Sequence, residues 1–298
     1  SSTPLYWPDP YRASDHDPIV IGLDLATYTI GGTLSGLAPG NSVVLQNNDG
    51  DNLTLKTDGS FTFPTALTFS SEYAVSVLTQ PTTPNQTCTI TNESGVVSGS
   101  DITDIDVICV TNTYTIGGTV SGLAPGNSVV LQNNDGNDLT VNANDSFAFT
   151  TALMDGSANT VTVLTHPTTP NQNCTVSNDV GTVSGTDVTD VEVTCRNLYQ
   201  LDVVIHDSGS VTSDIGIIDC PDISCSENFV DGTKVELTAE LNPTWTLGSW
   251  TWSGACSGDA GCTITMNADK TAMIDFHCEL INIPDSGSPI NTPGVLWE

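Results

Sequence analysis

Basic residues are scarce in this chain, whose 298 residues include 5 Lys and Arg against 35 Asp and Glu. The formal net charge is therefore −30 at neutral pH. Proteins that hold nucleic acid usually contact its phosphates with Lys and Arg. The composition thus predicts that the folded modules of this chain do not bind nucleic acid themselves.

The sequence also lacks an apolar run of about twenty residues, the length that a helix needs to cross a bilayer. It does not begin with Met, and no basic segment followed by an apolar core stands at its start. If the protein is exported, we expect its signal to precede Ser1 and the chain to be a fragment or a processed product. Helical periodicity is missing as well, so strands are expected throughout.

What the chain does have is nine cysteines at recurring spacings. Disulfides persist in oxidising compartments, whereas the same number of cysteines in a cytosolic chain would indicate metal or redox sites. The spacings favour disulfides and hence an extracellular or cell-surface protein.

A tandem repeat dominates the sequence. Residues 28–109 align without a gap with residues 114–195 at an offset of 86, and 53 of the 82 aligned positions are identical. Two copies this similar must share one fold. We call residues 28–113 repeat 1 and residues 114–198 repeat 2.

Alternating apolar and polar residues within one copy predict short strands that are separated by turn-forming Pro, Gly, Asn and Asp. Seven strands in one repeat are typical of a β-sandwich, and the predicted class is all-β. The predicted strands of repeat 1 are 28–35, 42–46, 52–56, 60–63, 73–78, 87–91 and 104–110.

The segments Ile-Gly-Gly-Thr at 30–33, Asp-Gly-Ser-Phe-Thr-Phe at 58–63 and Tyr-Ala-Val-Ser-Val at 73–77 resemble the Ig-like or prealbumin-like repeats of bacterial exported proteins. The resemblance implies a spacer or surface-display role without catalytic residues. Repeat 2 departs from the pattern at Asp145 and Asn159, where repeat 1 has Gly59 and Tyr73. We therefore expect that corner of repeat 2 to be less well packed.

Each repeat contains two cysteines 21 residues apart on predicted neighbouring strands, namely Cys88 with Cys109 and Cys174 with Cys195. A disulfide within each repeat is the favoured interpretation. Closing a loop of about 20 residues would stabilise the fold by about 3 kcal/mol in the chain-entropy model.

Asn- and Asp-rich loops at 47–51 and 133–138 offer oxygen ligands that a calcium ion could use. Neither loop is followed by the bidentate Glu of an EF-hand, and Asn-Asp-Gly is typical of hairpin turns. We favour turns.

A third module begins at Tyr199, where the match to the repeat ends. The segments 220–225, 229–238, 248–256 and 261–266 resemble a divergent bacterial surface repeat of the InlB B-repeat type. This resemblance implies a small β-module over residues 199–278, with bridged pairs Cys220–Cys225 and Cys256–Cys262 and no known catalytic function.

Alternatives remain for this module. Four cysteines and His277 could hold zinc, although the spacings are wide for a zinc knuckle. Cys278 is left over as the ninth cysteine. The tryptophans could stack on a sugar or a base, but a role in the apolar core is favoured; they are Trp245, Trp250 and Trp252.

Only the start of the chain carries catalytic chemistry. Residues 14–18 read Ser-Asp-His-Asp-Pro and precede alternating apolar residues. This segment resembles the final motif and last strand of the endonuclease/exonuclease/phosphatase family, particularly its extracellular bacterial nucleases. The resemblance implies that His16 contacts the scissile phosphate, and that Asp15 orients His16 and binds a divalent cation, Mg²⁺ or Mn²⁺. The alternative is a polar turn that leads into a strand at 19–25.

The other residues that this family requires are absent, and the repeats leave no room for them. We therefore expect residues 1–27 to end a nuclease domain of a longer parent protein, which would act on nucleic acid, and this chain alone to be inactive. The repeats and the module would be its accessory spacer, and residues 279–298 a linker or tail. The competing hypothesis is a non-enzymatic bacterial surface protein with a structural or adhesive role and possible cell-surface contacts.

Overall fold

The structure, a computed structural model, describes residues 26–215, 218–221, 223–241, 248–259 and 261–278. Within these ranges the chain forms β-strands joined by turns, so the predicted all-β class is confirmed. None of the described residues forms a helix that is long and apolar enough to span a membrane. The chain divides into two compact units between Asn112 and Thr113.

The first unit is a β-sandwich formed by repeat 1. Its strands are Thr27–Tyr28 (β1), Ile30–Ser35 (β2), Val43–Asn47 (β3), Asp51–Leu55 (β4), Gly59–Thr62 (β5), Leu67–Thr68 (β6), Glu72–Thr79 (β7), Gln86–Thr91 (β8), Ser94–Val96 (β9) and Ile102–Thr111 (β10). One sheet has the order β5-β2-β10-β8 and the other β4-β3-β7-β9, while β1 pairs with β6. Strands β2 and β10 are parallel, and the other paired strands are antiparallel.

The period-two pattern of β10 shows why the sequence forms a sandwich. Ile105, Val107 and Cys109 point inward and are almost fully buried, whereas Ile108 and Val110 point to solvent. Successive side chains of a strand lie on opposite faces of the sheet, so one face enters the core. The buried residues of both sheets form one hydrophobic core.

Glycine at position 32 allows the parallel pair β2–β10 to form. A Cβ atom at Gly32 would lie 1.7 Å from the carbonyl oxygen of Ile105, closer than any side chain could be. The equivalent distance at Gly118 in repeat 2, to Val191, is 1.8 Å. The Gly-Gly pair in each repeat therefore serves close packing of two backbones.

All seven strands predicted for repeat 1 are present, with ends shifted by a residue or two. Three short strands, β1, β6 and β9, were not predicted. Strands of two or three residues contain too few positions to show an alternating pattern.

The second unit begins with repeat 2, whose sheets repeat the order and directions of repeat 1. Its strands are Thr113–Tyr114 (β11), Ile116–Ser121 (β12), Val129–Asn133 (β13), Asn137–Val141 (β14), Ser146–Ala148 (β15), Leu153–Met154 (β16), Ala158–Thr165 (β17), Gln172–Ser177 (β18), Val180–Thr182 (β19) and Val188–His206 (β20). It has a separate hydrophobic core.

Strand β20 continues from repeat 2 into the third module without a break, over 19 residues. Its first part pairs with β12 and β18 of repeat 2. The predicted boundary between residues 198 and 199 lies inside this strand, at the point where its pairing partners change.

The third module has two four-stranded sheets around its own core. Besides β20, its strands are Gly209–Ser213 (β21), Asp219–Pro221 (β22), Cys225–Val230 (β23), Lys234–Leu241 (β24), Gly248–Gly254 (β25), Cys262–Thr265 (β26) and Lys270–Cys278 (β27). The end of β20 pairs with β23 and, in parallel, with β27, and β25 lies beyond β27. The other sheet has the order β22-β21-β24-β26.

Candidate functional site

The predicted catalytic pair, Asp15 and His16, lies outside the described residues, as do the predicted strand at 19–25 and the tail at 279–298. The nuclease hypothesis therefore stays a prediction. The sites that can be built from the structure lie in the repeats and the third module.

Eight of the nine cysteines are joined as four disulfides. Cys88 bonds to Cys109, and Cys174 bonds to Cys195, each directly across two neighbouring antiparallel strands. In the third module the bonded pairs are Cys220–Cys225 and Cys256–Cys262. Cysteines in disulfides do not offer the thiolates that zinc binds. Within the described ranges, no three His, Cys, Asp or Glu side chains come together as a possible metal site.

The tryptophans of the third module that the structure describes contribute to its core. Trp252 is 2% exposed, and Trp250 packs edge-on against Phe276 with ring centroids 6.4 Å apart. Trp245 lies outside the described residues. The arrangement of the first two favours the core interpretation over a stacking platform for a ligand.

The Asn-rich loop of repeat 1 is the turn of the β3–β4 hairpin. Asn48 and Asp49 both have positive φ angles, which Asn and Asp adopt more readily than most residues. The Asn48 side chain accepts a hydrogen bond from the Ala74 N–H and donates one to the Glu72 carbonyl. Asp51 accepts one from the Thr65 N–H. These hydrogen bonds thus connect the turn to neighbouring segments of repeat 1.

The repeats differ in chemistry at the position of Tyr73 and Asn159. Tyr73 is directly opposite Gly95 in the β7–β9 pair, and its hydroxyl lies 2.8 Å from where a Cβ atom of Gly95 would be. Burial, and then the negative charge of Asp104, raise the pKa of Tyr73 above its ordinary value. The ring of Tyr73 therefore closes this corner of repeat 1, with its hydroxyl within the field of Asp104.

In repeat 2 the corner contains three asparagines. Asn159 is 1% exposed and lies directly opposite Gly181. Asn133, also 1% exposed, pairs with Asn137 on one side and with Val161 on the other. Since Asn159 and Val161 are two residues apart on one strand, their side chains lie on the same face.

Five side-chain atoms of this asparagine cluster are buried without a hydrogen-bond partner among the described residues: Nδ2 and Oδ1 of Asn133, Nδ2 of Asn137, and Nδ2 and Oδ1 of Asn159. Buried amide groups nearly always have a partner, because an unpaired one costs about 1–3 kcal/mol. The expectation of a less well packed corner stays a prediction, because what the structure shows here is unpaired amide groups. The sequence did not reveal the contribution of Asn133 and Asn137, which it placed in a turn.

A cavity of about 410 Å³ borders Asn159. Most of its lining side chains are polar, and none is basic. The lining residues are Asn159, Asn178, Val180, Gly181, Thr182, Ser184, Thr186, Asp187, Val188, Thr189 and Asp190.

Known proteins offer only distant likenesses. No protein-family model and no curated protein matches the chain. Among solved structures it is similar to the Bacillus anthracis TIE protein, at 9% identity and a TM-score of 0.38, over 84% of this chain and 50% of that one. The open form of the pilus adhesin SpaC from Lactobacillus rhamnosus GG gives 10% identity and a TM-score of 0.35, over 86% of this chain and 44% of that one.

The major pilin subunit BcpA of Bacillus cereus gives 9% identity and a TM-score of 0.26, over 85% of this chain and the whole of that one. The chain thus spans half or less of the TIE and SpaC chains.

Proposed function

We propose that repeats 1 and 2 and the third module act as a non-enzymatic spacer in an exported or cell-surface bacterial protein. The observation that carries this proposal is the strand Val188–His206, which belongs to repeat 2 and to the third module at once.

A shared strand fixes the position of one module against the next. Neighbouring domains are usually joined by exposed polar linkers, which let them move relative to each other. Here the backbone is hydrogen-bonded on both sides of the junction, because Cys195 pairs with Cys174 and Leu198 with Val230. A junction of this kind holds a set distance, which is what a spacer requires.

The disulfides support the same role. Each module contains at least one, and every one of these bonds lies within a single module. Disulfides stabilise small cores in the oxidising environment outside the cell. The net charge of −30 adds solubility there.

The junction can be tested by NMR relaxation. In the intact chain, the amides of repeat 2 and of the third module should report one common rotational correlation time. Insertion of a short Gly-Ser segment after Asn197 should separate the two values, whereas the same insertion at Gly232, in an exposed turn of the third module, should not. Two different correlation times in the intact chain would contradict a fixed junction.

The spacer role itself can be tested by replacement. In the parent protein, the two repeats would be exchanged for an unrelated pair of disulfide-bonded sandwiches. If the repeats act as a spacer, the parent protein should keep its surface position and its activity after the exchange. Loss of cell or matrix attachment after the exchange would instead assign an adhesive role to the repeats.

A second candidate function rests on residues 14–18. We propose that the parent protein is a metal-dependent nuclease whose final motif contains Asp15 and His16. An imidazole next to a carboxylate is a usable acid or base near neutral pH, and phosphodiester cleavage needs a cation, such as Mg²⁺ or Mn²⁺, to offset developing charge. The remaining metal ligands would lie elsewhere in the parent.

This candidate predicts that His16→Ala in the full-length parent lowers DNA or RNA cleavage by orders of magnitude and leaves the repeats folded. Wild-type turnover of that variant would refute the family assignment. The present chain alone should hydrolyse neither DNA nor RNA with magnesium, manganese or calcium.

A further inference from the structure

We propose that this chain is a load-bearing tether, in which each of the three modules resists tension applied to the two ends of the chain. The resisting element is a parallel pair of strands, one where the chain enters the module and one where it leaves. A spacer sets a distance, whereas a tether must also withstand pulling. The inference is independent of the fixed junction between repeat 2 and the third module, because a mobile junction would transmit tension equally well.

The first step is a layout that the modules share. In repeat 1 the two sheets have the orders β5-β2-β10-β8 and β4-β3-β7-β9. The third module has the orders β23-β20-β27-β25 and β22-β21-β24-β26. Its eight strands thus occupy the same places in the same chain order, although its sequence does not match the repeat.

In every module the entering strand of this layout lies beside the leaving strand, and the two are parallel. We call these two strands the terminal pair. It consists of β2 and β10 in repeat 1, of β12 and β20 in repeat 2, and of β20 and β27 in the third module.

The second step is the direction in which tension acts on a terminal pair. In repeat 1 the load arrives at the start of β2 and leaves at the end of β10. Because the strands are parallel, these two points lie at opposite ends of the pair, and pulling slides one strand along the other. The hydrogen bonds run across the strands, so all of them are stretched at once. Strands that are pulled apart from one end would instead lose their bonds one after another, at lower force.

The third step is a hydrogen bond at the point where tension enters a module. The Thr29 N–H, just before β2, donates to the Oδ1 atom of Asp101, just before β10, at 2.7 Å. The equivalent bonds of the other modules join Thr115 to Asp187 at 2.7 Å and Gln200 to Asp269 at 2.9 Å. We call this contact the entry bond. It adds one more connection at the start of each terminal pair, and the third module retains it despite its different sequence.

The disulfides of the repeats limit how far an opened module can extend. Cys109, near the end of β10, is bonded to Cys88 of the neighbouring β8, and Cys195 is bonded to Cys174 in the same way. If β2 slides off β10, the loop between the two cysteines, with a sequence separation of 21, stays closed. At about 3.5 Å per extended residue, the bond withholds roughly 70 Å of chain. A tether of this kind remains short even after one repeat has opened.

The test is single-molecule force spectroscopy of the full, oxidised chain, held first by its two ends. The N-terminal attachment is then moved to Pro39, which is exposed in the turn after β2. Pro39 lies at the same end of the terminal pair as the end of β10, so β2 and β10 are now pulled apart from one end. Repeat 2 is still loaded along its strands and is the matched control within the same molecule.

We expect the unfolding force of repeat 1 to fall to about half or less in the second attachment, because its bonds then break in succession. The unfolding force of repeat 2 should not change. The event of repeat 1 is recognised because it releases less chain, since the residues before Pro39 lie outside the pulled segment.

Two matched variants test the entry bond in the chain held by its ends. Asp101→Ala removes the acceptor of the Thr29 N–H. Asp51→Ala removes an acceptor of the same kind outside the terminal pair, where Asp51 Oδ2 accepts from the Thr65 N–H at 3.1 Å. Both should lower equilibrium stability by similar amounts, but only Asp101→Ala should lower the force of one unfolding event. Forced unfolding depends on the rate of unfolding and not on the equilibrium free energy, so the force separates load bearing from a merely structural role.

Two outcomes would overturn the proposal. Equal unfolding forces of repeat 1 in the two attachments would show that its terminal pair does not bear the load. Equal forces in Asp101→Ala and Asp51→Ala, both shown to be folded by circular dichroism, would show that tension does not enter the module at the terminal pair. Either result would leave the spacer proposal standing, because the rotational correlation times that test it are measured on the relaxed chain.

Discussion

Asn41 and Gln86 are hydrogen-bonded to each other inside repeat 1, with the Asn41 Nδ2 atom donating to Gln86 Oε1 at 3.2 Å. Gln86 Oε1 also accepts from the Ala38 N–H, and its Nε2 donates to the Gly36 carbonyl, both at 2.8 Å. The two side chains are 7% and 3% exposed. Asn127 and Gln172 form the same contact at the same distance in repeat 2. A buried amide pair thus provides hydrogen-bond partners for backbone groups of the loop that follows β2.

The first prediction concerns Gln86→Met, which keeps the size of the side chain and removes its polar atoms. The Ala38 N–H and the Gly36 carbonyl then lose their partner inside the protein. We expect the free energy of unfolding of the first unit to fall by about 3 kcal/mol, since each buried unpaired group costs about 1–3 kcal/mol. Urea unfolding followed by circular dichroism measures it.

The control for this variant is Gln46→Met. Gln46 donates to Asn52 at the surface of the same sandwich, so its loss should change stability by less than about 0.5 kcal/mol. Equal effects of the two substitutions would mean that the buried pair is not what holds the loop.

The second prediction concerns pH. The raised pKa of Tyr73 in the folded state, caused first by burial and then by Asp104, means that folding favours the neutral phenol. This stabilisation is complete below the ordinary tyrosine pKa of about 10 and is lost as pH rises through the raised value. The midpoint temperature of thermal unfolding of the first unit should therefore fall as the pH rises above about 10.

Tyr73→Phe cannot ionise, so its stability should fall less over the same alkaline range. The comparison uses the difference in midpoint between variant and wild type at each pH, which removes effects common to both. A difference that does not change with pH would show that Tyr73 is not preferentially neutral in the folded state.

The strands of the sandwich could be predicted because each sheet turns one face to the core, which imposes an alternating pattern on the sequence. The buried amides could not. Gln86 occupies an inward position of β8, and Asn47 occupies an inward position of β3. Both are polar residues at positions where the alternating pattern expects an apolar one. Hydropathy therefore assigns these positions to a turn or to the end of a strand. Their partners are backbone groups and side chains distant in sequence, which no local pattern encodes.

The shared strand β20 could not be predicted for a different reason. Composition changes at Tyr199, and a change in composition normally marks a domain boundary. Hydrogen bonding of the backbone does not depend on side-chain composition, so a strand continues across the change when partners exist on both sides. Comparison of the two copies in the sequence identified Asn159 as a departure from repeat 1. Its grouping with Asn133 and Asn137 could not be predicted, because that grouping depends on how the strands are aligned in the sheet.

The third prediction concerns the disulfides. The Cys88–Cys109 bond closes a loop with a sequence separation of 21, whereas Cys220–Cys225 has a separation of 5. The chain-entropy model gives about 3 kcal/mol for the first and about 2 kcal/mol for the second. Paired Cys→Ala variants should therefore lower the free energy of unfolding more in repeat 1 than in the third module.

Denaturant titration of each double variant, with the other disulfides intact, measures this difference. Cys174→Ala with Cys195→Ala is the matched comparison, because that loop also has a separation of 21. A larger loss in the third module than in either repeat would show that native packing around the bond, and not loop closure, decides the contribution.

The last prediction concerns nucleic acid and follows from the charge distribution. Four of the five basic residues lie in the described ranges, and they are spread along the chain at Lys56, Arg196, Lys234 and Lys270, while Arg12 lies outside those ranges. Affinity for DNA depends on how many phosphates basic residues neutralise, and 35 acidic side chains oppose any approach. We expect no binding of duplex DNA or heparin at physiological salt.

A mobility-shift assay at low salt is the most sensitive form of this test, because binding through phosphates strengthens as salt is removed. The chain should leave duplex DNA unshifted there and pass through a heparin column unretained. Such a result fits a parent nuclease only if its substrate is bound by residues outside repeats 1 and 2 and the third module. A shift that weakens with added salt would instead show that these modules carry the substrate-binding surface, and the spacer proposal would then have to be abandoned.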